Sequence, residues 1–161
     1  MHDPTPFPTS AEILAQEDRL TLPACSYDDC LAIGRWLLDR AIERSLAITV
    51  EVWHGQRLVF RAARPGTNAD NDRYLAGKRR VVEHFAHASL YERLRHEAAG
   101  TSFEAATSLR FPEYAPHGGG FPLLVRGTGR VGVVLVSGLP QQEDHALVVE
   151  ALTAHRASVG V

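Results

Sequence analysis

The sequence predicts an α/β domain of the α+β kind, in which a mainly antiparallel sheet is covered by helices on both faces. Three observations carry this. Two stretches, near residues 47–62 and 121–136, each read as a pair of strands folded back around a tight glycine turn. Segments with helical spacing of apolar residues stand before, between and after those hairpins. The last strand, Arg130 to Val136, is apolar on both faces, as a central strand covered on both sides must be.

The elements follow in order. Residues 1 to 9, with Pro4, Pro6 and Pro8, resist regular structure and are expected to form a flexible N-terminal arm ahead of a single domain over 10–161. Ser10 to about Leu20 reads as a short helix. After Pro23, Ser26 with Asp29 gives a capping-box start to a long amphipathic helix over 27–45. Ala47 to Trp53 alternates, His54-Gly55-Gln56 turns, and Arg57 to Ala62 returns as the second strand. From about Asn71 to Ala86 a stripe of Leu75, Val82 and Phe85 predicts a third helix, with Lys78 inside the stripe. Ser89 with Glu92 reads as a second capping box, opening a helix to Ala98. Gly100 to Pro116 is expected to be a long irregular connection of the kind that serves binding sites. Phe121–Arg126 and Arg130–Val136 form the second hairpin around Gly127-Thr128-Gly129. Pro140 suits the first turn of a final helix from Gln141 to about Ala157.

Composition narrows the function. A chain of 161 residues with a formal charge of -2 and 22% charged residues has no basic footprint for nucleic acid or an anionic membrane surface. The N-terminus has neither the basic nor the apolar region of a signal peptide, and there is no apolar run long enough to span a bilayer. A cytoplasmic protein is the expectation, with Cys25 and Cys30 as reduced thiols and no zinc spacing. Of the 17 basic residues, Lys78 is the only lysine. Where arginine is the default cation, a single lysine placed in a core stripe has two readings: an ammonium that meets an acidic ligand group or a carbonyl, or a snorkelling side chain whose stem covers the core.

The candidate site centres on Gly118-Gly119-Gly120, where backbone can approach a ligand closely. His117 before it and Phe121 after it complete the loop. Ser137-Gly138 ends the buried strand and opens a helix N-terminus, which favours an anion. Lys78 and His117 are the candidates for chemistry. Asp144 and His145 point about 100° apart on a helix, so a surface aspartate and a half-buried packing histidine are expected. Glu83, His84 and His87 share a helix without the His-Glu-x-x-His arrangement of a metal site, and read as a solvated face. No metal site is expected.

The stretch HGGGFPLLVRGTGRVGVVLVSGLPQQEDH, with GKRRVVEHFAHASLY upstream, resembles the GlcG/HbpS-like haem-degrading-domain family, in the branch that carries Ser-Gly-Leu-Pro-Gln followed by Asp-His. The likeness runs over roughly residues 26 to 155. It implies a three-layer α/β/α domain on a five-stranded, mainly antiparallel, profilin-like sheet, with the fifth strand at Leu20–Leu22. It also implies a homo-oligomer and a small-molecule ligand, with haem or a related compound among the candidates. The chain has no Cys-x-x-Cys-His, and its only methionine is the initiator, so an axial haem ligand would be His or Tyr.

Three functions are carried forward. The first is a small-molecule-binding protein with an anionic ligand held by His117 to Phe121, Ser137, Gly138 and Lys78. The second is an enzyme using Lys78 and His117, with His145 as a further candidate, in acid-base or Schiff-base chemistry on a small acidic or carbonyl substrate. The third is an oligomeric scaffold for a protein partner, favoured if the glycine loop is sealed with no cavity beside it.

Overall fold

The computed structural model describes residues 3–161. Residues 1 and 2 of the expected arm lie outside the described residues. Ten elements follow in order: α1 Ser10–Arg19, α2 Tyr27–Glu43, β1 Thr49–His54, β2 Arg57–Ala63, α3 Ala69–Phe85, α4 Ser89–Ala98, α5 Phe103–Thr107, β3 Gly120–Val125, β4 Gly129–Ser137 and α6 Gln141–Ser158. The strands form an antiparallel sheet of order β2-β1-β4-β3. The two hairpins therefore meet through β1 and β4, with Val50 opposite Val136 and Val52 opposite Val134.

The period-2 pattern sorts these strands into two cores. Val50, Val52, Phe121, Leu123, Val134 and Val136 face α2 and α6, where Ile33, Leu37, Val148 and Leu152 close the main core. Val133 and Leu135 point the other way, against Leu75 and Val82 of α3. Strand β4 is buried from both sides, as its composition requires. The outcome is three layers: α3, the sheet, then α2 with α6.

Local chemistry fixes the helix starts. Thr9, Ser26 and Asn68 each accept a first-turn N–H while the third helical residue bonds back, giving three full capping boxes; each such cap is worth about 1 kcal/mol. The α2 helix crosses close to β2 because Gly34 has no side chain: a Cβ there would lie 2.3 Å from Cγ of Phe60.

Three expectations need correction. Among the described residues the sheet has four strands, not five. Leu22 does pair beside β3, its N–H donating to Leu124 O at 2.8 Å and its carbonyl accepting from Arg126 N at 2.9 Å, but this is one isolated bridge to Val125. Pro23 follows, has no N–H to give, and ends the pairing. The stretch 100–116 is not wholly irregular, since Ser102 caps the short helix α5 and Phe103 is buried. Helix α4 has no Ser89 cap: its N-cap is Ala88, without a side-chain bond. Ser89 and Glu92 are both buried, at 0% and 1% exposure, and serve other partners.

Candidate functional site

Helix α3 lies over the end of β4 and brings Lys78 to it. The side chain is fully sequestered, at 2% exposure, and its ammonium donates to Val136 O at 2.9 Å and to Asp144 Oδ2 at 3.3 Å. Asp144, also 2% exposed, sits one turn into α6 and folds back under the strand-to-helix turn. Its carboxylate accepts the N–H groups of Gly138 at 3.3 Å and Leu139 at 3.0 Å. The expected surface aspartate is thus the buried counter-charge of the single lysine. The first turns of α6 are enclosed on more than one side, with Asp144, His145, Leu147 and Val148 all buried. Two adjacent residues can therefore both be interior although they diverge.

His145 is buried more deeply than expected, at 2% exposure. Its Nε2 meets Gln16 Oε1 at 2.7 Å and its ring packs 5.8 Å from Phe121. It faces α1, away from Lys78. Glu83, His84 and His87 also part company. Glu83 holds Arg79 at 2.6 Å, His84 packs beside Phe85 and Tyr114, and His87 Nδ1 meets Glu17 Oε2 at 2.7 Å. Cys25 and Cys30 are free thiols with their sulfurs 3.8 Å apart.

The glycine loop is built for close packing. Gly119 has φ +124°, and a Cβ on it would lie 2.2 Å from Val136 O and 2.9 Å from Lys78 Nζ. A Cβ on Gly118 would lie 2.0 Å from Gln141 O. Two of the N–H groups expected to cradle a ligand are used internally: Gly118 N donates to Gln141 Oε1 at 3.2 Å and Gly120 N to Ser89 Oγ at 3.0 Å. The Ser89 hydroxyl in turn donates to His117 O. Ser89 thereby clamps both ends of the loop, a role hidden in the sequence by its resemblance to a helix cap.

Beside the loop opens a cavity of about 350 Å³, lined by Asn71, Tyr74, Lys78, His117, Ser137, Gly138, Leu139, Gln141 and Asp144. Four of the eight expected binding residues line it: Lys78, His117, Ser137 and Gly138. Gly118, Gly119, Gly120 and Phe121 do not; the glycines are buried beneath it and Phe121 belongs to the main core. Asn71 and Tyr74 were legible in principle, since they lie two turns and one turn before Lys78 on α3. A larger cavity of about 530 Å³ lies on the outer side of α6, by Thr5, Leu46 and Leu147. Of its charged residues, Arg44 and Glu150 already pair with each other at 2.7 Å, and Glu143 Oε1 accepts from Thr5 Oγ1 at 3.5 Å.

Electrostatics sharpen the smaller cavity. Burial pushes the Lys78 ammonium below its ordinary value, while Asp144 pulls it back up. Burial pushes Asp144 up to about 6, opposed by Lys78 and by the N–H groups of Leu139 and Gly138. His117 is pushed down to about 4, first by burial and then by Arg93 and Lys78; it is a neutral imidazole near pH 7. Arg93 Nη1 lies 3.3 Å from His117 Nδ1, and Tyr74 and Phe111 pack edge-on to the His117 ring at 5.5 and 5.9 Å. The site therefore joins a buried amine with a carboxylate that can take its proton, beside an uncharged histidine.

A three-layer α/β/α domain with a small polar cavity at the end of its central strand is the class that fold and geometry define. The sequence profile of the family described as haem degrading protein HbpS-like matches residues 25–153, and the chain belongs to that family. A UPF0303 protein of Streptomyces avermitilis is 50% identical over 145 residues, covering 90% of this chain and 89% of that protein. A UPF0303 protein of Brucella anthropi is 38% identical over 146 residues, covering 90% and 86%. Among solved structures, the Ybr137w protein superposes with a TM-score of 0.84 at 24% identity, over 94% of this chain and 90% of that one. The PduOC:heme complex does so with a TM-score of 0.68 at 18% identity, over 81% and 94%. At those identities the structures establish the shared fold.

Proposed function

We propose that this protein binds a small polar ligand carrying a carboxylate or carbonyl oxygen, in the cavity over Lys78. The observation that carries the reading is the placement of the chain's only lysine, 2% exposed, in the wall of a cavity beside a half-buried neutral histidine. The 18-residue helix α6 begins at Pro140 without a side-chain cap, so the positive end of its dipole adds to the attraction for an oxygen anion. Asp144 sets the limit: it already takes the N–H groups of Gly138 and Leu139. A monocarboxylate or a carbonyl suits this arrangement, whereas a dianion would meet the aspartate. The presence of a cavity beside the sealed glycines favours a ligand over the scaffold reading.

Haem is the ligand that the family's description and the PduOC:heme complex bring forward. The cavity does not fit it. Leu139 is the single aliphatic side chain in the lining, against the apolar walls that a planar macrocycle needs, and about 350 Å³ lies near the small end of ligand sites, ~300–1,000 Å³. His117 Nδ1, one of the two nitrogens that could reach iron, faces Arg93.

Thermal unfolding in the presence of acetate, lactate, pyruvate, glyoxylate and haemin tests both statements. The expected result is a saturable rise in Tm with at least one monocarboxylate. A haemin Soret band that appears with the native protein and is lost in His117→Ala would overturn the reading.

A further inference from the structure

We infer that Lys78 forms a reversible imine with small aldehydes and 2-oxo acids bound in this cavity. The inference rests on the binding reading above and adds a covalent step to it. Imine formation needs an amine that can lose its proton, a nearby group to take that proton and return it, room for the carbonyl carbon, and shelter from bulk water. Each is present at one place. The amine is buried beneath α3, its carboxylate partner lies 3.3 Å away, and the cavity opens beside both.

The Lys78 ammonium passes a proton to Asp144, leaving an amine and a carboxylic acid. The amine lone pair attacks the carbonyl carbon as the C=O π electrons move to oxygen; a proton then moves from nitrogen to that oxygen, giving a carbinolamine. Asp144 returns its proton to the hydroxyl, water leaves, and the nitrogen lone pair forms the C=N bond. The products are a protonated imine, one water and the Asp144 carboxylate, with no oxidant or reductant consumed. Val136 O, 2.9 Å from Nζ, orients the amine. The raised carboxyl of Asp144 and the lowered ammonium of Lys78 both ease the first transfer, because burial disfavours the charged form of each. His117, neutral and hydrogen-bonded on Nδ1 by Arg93, stands across the cavity as a group that can contact the departing hydroxyl.

Arginine cannot replace lysine in this step, since guanidinium does not give up its proton in water. That accounts for lysine at the one buried position of a chain that otherwise uses arginine for every basic site.

The test is borohydride reduction of the full-length protein with pyruvate and, separately, glyoxylate, followed by intact and peptide mass spectrometry. Lys78 is the only lysine, so the α-amine is the sole competing primary amine and is resolved by the peptide that carries the label. The expected result is a mass gain at Lys78 equal to the carbonyl compound less one oxygen, absent in Lys78→Arg and at least tenfold slower in Asp144→Asn. Pyruvate that stabilises the protein in thermal unfolding yet leaves Lys78 unlabelled would overturn the imine and leave the binding reading standing. Absence of label together with absence of stabilisation by acetate, lactate, pyruvate and glyoxylate alike would overturn both. Labelling confined to the α-amine would also overturn the imine.

Discussion

The ammonium of Lys78 and the carboxylate of Asp144 lie 3.3 Å apart, both about 2% exposed, and link α3 to the first turns of α6 across the end of β4. Sixty-six residues of chain separate them. The pair is held by more than its mutual attraction: Val136 O takes one ammonium proton and the Gly138 and Leu139 N–H groups take the carboxylate. Removing one partner of a buried pair typically costs about 3–5 kcal/mol, because the other is left buried and uncompensated. Asp144→Ala is expected to fall in that range by urea unfolding at pH 7. Lys78→Met is expected to cost less, since Asp144 keeps both N–H donors and takes up a proton readily. An Asp144→Ala cost under about 1 kcal/mol would show that the pair is not a structural link.

Gly119→Ala is expected to be the most damaging change in the glycine loop. The residue combines a positive φ with a Cβ position 2.2 Å from Val136 O, so the methyl group clashes with backbone that cannot swing aside. A loss of about 3 kcal/mol or more is expected from overpacking and strain together. The same change is expected to displace Lys78, because its ammonium lies 2.9 Å from the new atom. Equal stability of the variant and the parent would contradict this packing.

Ser89→Ala removes a hydroxyl that serves both His117 O and Gly120 N. The N–H of Gly120 is then left buried without its acceptor, which costs about 1–3 kcal/mol. Amide hydrogen exchange of Gly120 is expected to accelerate with little change in β1 and β2. Unchanged protection at Gly120 would remove Ser89 from the loop clamp.

The fold was legible because its signals are local. The capping box at Ser26, the alternation from Ala47 to Trp53 and the apolar run from Arg130 to Val136 report their own neighbourhoods, and the structure places elements there within a few residues. The fifth strand failed because one bridge at Leu22 satisfies the resemblance without a strand, and Pro23 stops it. In the site, Lys78 was visible as an odd residue within an apolar stripe, and His117, Ser137 and Gly138 as loop chemistry. Asp144 was missed because a helical wheel cannot show that α6 starts in a buried corner. Ser89 was missed for a related reason: a serine three residues before a glutamate looks like a cap until the loop that captures it is in place. The role of the glycines changed as well, from cradling a ligand to letting β4, α6 and Lys78 approach.

His145 sets part of the acid limit of stability. Burial holds its folded value at about 4, below the ordinary histidine value of about 6.5, and its Nδ1 is buried with no acceptor among the described residues. Protonation would add a donor there with nothing to receive it. The unfolded chain thus binds this proton more tightly than the folded chain between pH 4 and 6.5. The contribution of His145 to stability is full above about pH 6.5 and falls by roughly 1.4 kcal/mol per pH unit as the pH drops toward 4. Asp144, raised to about 6, works the other way: its folded form holds a proton that the unfolded chain releases, so it penalises stability as pH rises from about 4 to 6. His145→Gln is expected to flatten the acid limb in urea titrations at pH 4.5 and 7. A limb as steep as the parent's would assign the acid loss to other groups.

The central claim is that Lys78 holds a small oxygen ligand, and calorimetric titration of pyruvate into the native protein, Lys78→Arg and Lys78→Met tests it most directly, with circular dichroism confirming that each variant is folded. Saturable binding by the native protein, at least tenfold weaker in Lys78→Met, a loss of about 1.4 kcal/mol or more, is the result expected. Binding by Lys78→Met within twofold of the native protein would contradict it.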